Sequence, residues 1–255
     1  MTARRARIFS SLVAVVLTAS CTSYYEIPIE TPIRPKLDVS AFQRVLVAGF
    51  ISGGSEDVDA NLETTRLLRS QLRTKSELRV IDTDVLPLMD VAAESRGEGA
   101  PAPTTAAGDP AAIREEKDLE PYEHLFADVE YWKRIGEEYQ MPLIVTGTVM
   151  FTPHSRSGIV QREQEVFDSF GRRRVVPVRT YMERKGFILR PKFIFIDGRS
   201  GTTLYSESFR EEILYNAQQN TPALSSYFEL MDRLLPSFLS TLSTQKIRGT
   251  RVLLK

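Results

Sequence analysis

One cysteine in 255 residues excludes an internal disulfide, so a folded core here must hold by packing alone. Histidine is nearly as scarce. His124 and His154 stand far apart on different predicted elements, no H-E-x-x-H spacing occurs and no second thiol exists, so the sequence offers no recognisable zinc-ligand set. A serine-nucleophile turn of the G-x-S-x-G kind is missing as well. The loop 49–57 lies between a predicted strand and a predicted helix, where phosphate loops sit, yet it has neither a Gly-Lys-Ser/Thr ending nor a G-x-G-x-x-G run. Glu56, Asp57 and Asp59 put negative charge where a phosphate would bind, and helix capping accounts for them. No cofactor and no small-molecule substrate is indicated.

An excess of either charge is also lacking. Lys and Arg number 33, as do Asp and Glu, which argues against a dedicated nucleic-acid binder. The apolar stretch Ile8–Leu17 falls well short of the about 20 residues that cross a bilayer as a helix. It fits a secretory signal instead, with Arg4, Arg5 and Arg7 before it and the small residues Thr18, Ala19 and Ser20 after it, ahead of Cys21. Removing residues 1–20 takes away three positive charges and leaves a mature chain of about −3. The ending resembles the lipobox of bacterial lipoproteins, with Thr18 where that family usually has Leu. The resemblance implies that Cys21 is lipidated and becomes the mature N-terminus. Thr22, standing where an Asp marks inner-membrane retention in many Gram-negative bacteria, implies attachment to the outer membrane on its periplasmic face.

What remains predicts a tether at residues 21–40 and one domain at 41–255 with a disordered insertion at about 93–118. Pro28, Pro32 and Pro35 without an apolar period read as the extended tether. Gln43–Phe50 and Leu78–Asp82 read as strands around a helix at about 58–74, whose apolar face is Val58, Leu62, Thr65, Leu68 and Leu72. Strand, helix, strand makes a βαβ start. The insertion is rich in Ala, Pro and Gly and has almost nothing to bury. A helical stripe at Tyr122, Leu125, Val129, Trp132, Ile135 and Tyr139 follows, stopped by Pro142.

Leu143–Phe151 is a third strand, in which Gly147 marks a close backbone approach. Two hairpins come next: 159–167 with 174–184 around Asp168–Gly171, and 187–197 with 202–209 around Gly198–Gly201. Pro191 places its strand at an edge or a bulge. Thr221 caps a last helix that Pro236 kinks, and Arg251–Leu254 is a small docked strand. The fold class is α+β: a central mixed β-sheet with helices packed on it, a βαβ start, a hairpin-rich second half and a C-terminal helix.

The order β-α-β-(α)-α-β-β-β-β-β-α, with Leu143–Val149 as a central strand and a later strand ending Ile196-Asp197 before a Gly-containing turn and Leu204-Tyr205-Ser206, resembles a known periplasmic domain. That domain is shared by the curli-secretion lipoproteins (CsgG-like), the TolB N-terminal domain and lipoprotein activators of penicillin-binding proteins. The resemblance covers roughly 42–242 without the insertion. It implies an assembly, secretion or activator protein, and no catalytic residue carries over.

Charge placement supplies the site. Residues 156–192 carry ten Arg or Lys and four Asp or Glu, whereas 93–140 carry five and twelve. The basic segment predicts a β-hairpin that docks on an anionic partner, with Arg172, Arg173, Arg174, Arg179, Arg184 and Lys185 as its contacts. Two ordinary solvated faces are the other account of the same charges. The partner is lipid headgroups, an acidic envelope protein, or the acidic region of a neighbouring copy. Three functions fit: a lipid-anchored periplasmic scaffold, assembly factor or regulator; a subunit of a ring-forming outer-membrane secretion complex; or an envelope hydrolase built on one of the two histidines. The first is preferred.

Lipidation is directly testable. Cys21→Ser is expected to leave a soluble or unprocessed protein, whereas the wild type sediments with membranes, because two or three acyl chains hold far better than one. A wild-type protein found wholly in the soluble periplasmic fraction contradicts it.

Overall fold

The computed structural model describes residues 24–95, 113–167, 169–216 and 218–254. The signal, Cys21 and most of the predicted insertion lie outside the described residues. The chain divides into two units, Lys36–Ser243 and a smaller one drawn from Met1–Pro35 and Thr244–Lys255.

The larger unit is α+β. Strand β2 (Arg44–Gly54) is followed by helix α1 (Ala60–Lys75) and the short β3 (Arg79–Val80). Helices α2 (Leu88–Ser95), α3 (His124–Ala127) and α4 (Val129–Glu138) lead to the long strands β4 (Leu143–Phe167) and β5 (Arg173–Asp197). Then come β6 (Thr203–Ser208), β7 (Glu211–Asn216) and helix α5 (Ala223–Leu242). The sheet order is β3-β2-β4-β5-β6, with β7 also pairing β5; β2 runs parallel to β3 and β4, and the remaining pairs are antiparallel. The βαβ start is present, and the sheet is mixed.

Alternation along the strands sends side chains to two cores, one on each face. Val45, Val47, Val145, Val149, Phe193 and Phe195 join α1 and α5 on one side, where Phe193 packs on Phe238 with ring centroids 4.8 Å apart. Leu46, Ala48, Ile144, Met150, Ile194 and Ile196 meet α2–α4 on the other, around the fully buried Trp132. Helix α1 buries Ala60, Thr64, Leu68 and Leu72 at four-residue spacing, and the Asp59 carboxylate accepts from the Leu62 N–H at its start. Deep between α1 and α5 the hydroxyls of Thr64 and Tyr227 hydrogen-bond, and burial pushes the Tyr227 phenol above its ordinary range.

Several expectations are corrected. The predicted tether is not free of structure: Tyr24–Ile33 forms β1, paired antiparallel over ten residues with β8 (Gln245–Leu254). Pro28 and Pro32 are four residues apart, so their nitrogens point the same way and can both face away from the partner strand. The period-2 pattern of Tyr25, Ile27, Ile29, Thr31 and Ile33 is the signal the prolines masked. The C-terminal strand belongs with this ribbon, not with the main domain.

Structure is also described well before residue 118, from Ile113 on. Ile113 is buried, and a 3-10 segment spans Glu116–Tyr122, started by the Asp118 carboxylate accepting from the N–H groups of Arg114 and Glu115. Those bonds hold Asp118 below the usual carboxylate range. The single predicted helix at 122–139 is broken because Asp128 caps a new one, accepting from the Tyr131 N–H. At the last helix Pro222, not Thr221, holds the cap position. Pro191 is neither at an edge nor at a bulge. It falls where β5 changes partner from β6 to β7, and its carbonyl accepts from the Phe209 N–H, so its missing donor lies in a gap between two strands. Strand β7 has no counterpart in the sequence reading.

Gly147 does mark a close approach. It has φ +142°, and a Cβ there would lie 1.8 Å from the Lys192 carbonyl oxygen. Gly147→Ala is therefore expected to cost about 3 kcal/mol or more, lowering the melting temperature by roughly 6–12 °C. Gly158→Ala, in the same strand with nothing within 4 Å of its Cβ position, should be close to neutral. Equal melting temperatures for the two variants contradict the packing described.

Candidate interaction surface

Strands β4 and β5 each have two halves. In β4 every residue from Leu143 to Phe151 is buried, and none from Thr152 to Phe167 is. In β5 Arg173–Lys185 are exposed or half-buried, and burial begins at Gly186. The pairing runs without a register shift from Leu143↔Asp197 to Phe167↔Arg173. Strand β2 leaves β4 at Phe151, and β7 leaves β5 at Arg184. Residues 157–183 thus project as a two-stranded arm, roughly 40 Å long at about 3.4 Å per residue. Both hairpins read from the sequence are present, but the strands read as separate are continuous: 143–151 runs on into 159–167, and 174–184 into 187–197. Pro153 does not interrupt β4, remaining in register with Phe187.

Cross-strand partners share a face, so the register sorts the arm's side chains. One face carries Arg156 with Arg184, Gly158 with Met182, Val160 with Thr180, Arg162 with Val178, Gln164 with Val176, and Val166 with Arg174. It holds four arginines and no carboxylate. The other carries Ser155 with Lys185, Ser157 with Glu183, Ile159 with Tyr181, Gln161 with Arg179, Glu163 with Pro177, Glu165 with Val175, and Phe167 with Arg173. There three bases face three acids, and two pairs form: Arg173 with Glu165, and Lys185 with Glu183 at 3.4 Å.

The six predicted contacts therefore do not form one patch. Arg174 and Arg184 lie on the arginine face, whereas Arg173, Arg179 and Lys185 lie on the mixed face. Arg172 is in the turn, its guanidinium 5.4 Å from the centre of the exposed Phe170 ring. Arg156 and Arg162 complete the arginine face and were missed, because only the register shows that they align with Arg174 and Arg184.

The histidines divide. His124 is exposed at the start of α3, its Nδ1 2.9 Å from the Pro121 carbonyl oxygen. His154 lies in β4 at the root of the arm, with Nε2 3.3 Å from Glu212 Oε1. Beside it opens a hollow of about 540 Å³ lined in part by Ser155, Lys185, Phe187, Tyr215 and Asn220. No serine, threonine or tyrosine hydroxyl hydrogen-bonds this imidazole among the described residues. In the loop 49–57 the Phe50 N–H is taken by Asn61 Oδ1 at 2.8 Å and Asp59 caps α1, as the capping account expects.

No family model and no curated protein sequence matches the chain. Two solved structures show a distant likeness. A lipoprotein from Neisseria meningitidis is 11% identical, with 76% of this chain and 96% of that one covered at a TM-score of 0.34. A homolog of a neuraminyllactose-binding hemagglutinin from Helicobacter pylori is 10% identical, with 85% and 92% covered at a TM-score of 0.31.

The arm is expected to be separable from the domain. Replacing residues 161–179 with Asn-Gly joins Val160 to its partner Thr180 through a two-residue turn and removes no buried residue among those described. The melting temperature should move by no more than a few degrees. A loss of cooperative unfolding would show that the arm is part of the core.

Proposed function

We propose that the protein is a lipid-anchored periplasmic interaction module, a scaffold, assembly factor or regulator in envelope biogenesis or secretion, and that it docks through the β4–β5 arm. The observation that carries this reading is the arm itself. Two strands leave the sheet together and expose Ile159 (71%), Tyr181 (67%), Phe167 (67%) and Phe170 (81%) with a cluster of arginines. An isolated two-stranded ribbon is marginal in water, so an exposed one of this length fits a partner better than a role in the fold. The lipid at Cys21, attachment to the outer membrane and kinship with the CsgG-like and TolB N-terminal domains belong to the same proposal. They rest on the residues quoted for them in the sequence.

A second reading, a ring-forming secretion subunit, draws on the position of the arm. It rises from the central strand, where the curli-secretion family to which the sequence bears resemblance inserts membrane hairpins. Its composition argues the other way. A lipid-facing strand needs an apolar band, and the arm's faces carry Arg156, Arg162, Arg174 and Arg184 on one side and Glu163, Glu165 and Glu183 on the other. One arginine at mid-bilayer costs about 2–4 kcal/mol.

Two measurements test the proposal. A photoreactive residue at Gln164 or Val176 should crosslink to an envelope component, protein or lipid, in intact cells; no adduct at either position contradicts docking by the arm. Purified protein should give no discrete conductance steps in planar bilayers. Reproducible steps, abolished by the 161–179 replacement, would favour the channel.

A further inference from the structure

We infer that the arginine face of the arm is a docking surface for an anionic phospholipid bilayer, which it meets at the headgroup level without insertion. This rests on the reading of the arm as a docking device and names its partner.

The first ground is the segregation of charge. Arg156, Arg162, Arg174 and Arg184 share one face, and none of them makes a salt bridge or side-chain hydrogen bond among the described residues. On the mixed face, Glu165 and Glu183 neutralise Arg173 and Lys185. The arm's net positive charge thus emerges on one side only. Arg190, in register with Met150 inside the sheet, continues the same face toward the domain.

The second ground is what lies between the arginines. Val160, Val166, Val176, Val178 and Met182 occupy five of the eight other positions of this face, with Gly158, Gln164 and Thr180 at the rest. Guanidinium groups interspersed with apolar side chains, with the carboxylates kept on the reverse, match what an anionic interface selects. Arginine suits it further because its planar fork binds phosphate oxygens in pairs.

A third observation gives the ligand chemistry. Near the root of the arm a hollow of about 430 Å³ is lined by Arg162, Thr180, Met182, Asn216 and Gln218, with Glu183 the one carboxylate among its lining residues. A guanidinium, a hydroxyl and two amides offer a phosphodiester donors, and Met182 an apolar neighbour. An acidic polypeptide would satisfy the charges, but it has no use for the valines at every other rung.

The test uses the mature chain with Cys21→Ser, so that no lipid contributes to binding. In vesicle co-sedimentation at 0.1 M salt it should bind vesicles containing 30% phosphatidylglycerol and not pure phosphatidylcholine. Binding should fall away at 0.5 M salt as screening sets in. Replacing Arg156, Arg162, Arg174 and Arg184 by Gln should lower partitioning at least tenfold, since each basic residue at such a surface is worth roughly fivefold. Replacing Arg173, Arg179 and Lys185 by Gln should change it less than about threefold, with melting curves showing both variants folded. Equal losses overturn the assignment to one face. Unaltered binding with inorganic phosphate at 10 mM supports the bilayer as source; competition by it at matched ionic strength overturns it in favour of a phosphate site. Absent vesicle binding overturns the inference. If Gln164 or Val176 still crosslinks to a protein in cells, the docking reading survives and its partner is that protein; without an adduct both fall.

Discussion

The pairing of β4 with β5 is the constraint on which this molecule depends. Its inner half places Val145, Val149, Phe193 and Phe195 in one core and Ile144, Met150, Ile194 and Ile196 in the other, so both helical layers pack on the same two strands. Its outer half carries no core residue. Since the register does not shift anywhere along the pair, packing at the buried end fixes which side chains share a face at the exposed end. A slip of one residue would move the phenylalanines from one core to the other and scramble the arginine row. The specificity of the surface is thereby inherited from the core.

The junction between the halves is built accordingly. Gly147 lets β4 come close to the Lys192 carbonyl, and Gly186, where a Cβ would lie 1.9 Å from the Ile213 carbonyl oxygen, lets β7 come close to β5 two residues before their pairing ends. Pro191 allows two short strands to share the outer edge of β5. Beyond this junction the arm gains nothing from either helical layer. Its stability comes from cross-strand pairs, each worth about 0.2–1 kcal/mol, and from hydrogen bonds open to water. A segment held so lightly is free to adjust to what it meets without disturbing the domain.

Much of this was legible in the sequence. Compact β-rich runs pointed to the strands at Gln43–Phe50 and Leu143–Phe151, three- and four-residue spacing to α1, and the basic stretch to the arm. Four things were not. The continuity of each 25-residue strand was hidden, because Pro153 and the polar residues after it look like a break, whereas an exposed ribbon has no apolar pattern to display. Strand β7 was hidden because Glu211, Glu212 and Asn216 are polar and only Ile213 is buried. The division of the arginines into two sets required the register, which is set by contacts some forty residues away in the sequence. Likewise β1 and β8 find each other across almost the whole chain, a pairing for which local pattern offers no cue.

One pair of strands is thus fold at one end and an exposed arm at the other. Amide hydrogen exchange along β4 and β5 in the unbound protein tests it most directly. Protection is expected to be near the global limit at Val145–Phe151 and Leu189–Phe195, to fall at His154 and Gly186, and to be lower by several orders of magnitude from Arg156 to Arg184. High protection running unbroken to the tip in a monomeric sample would contradict the account, because it would mean that the arm is already packed within the molecule.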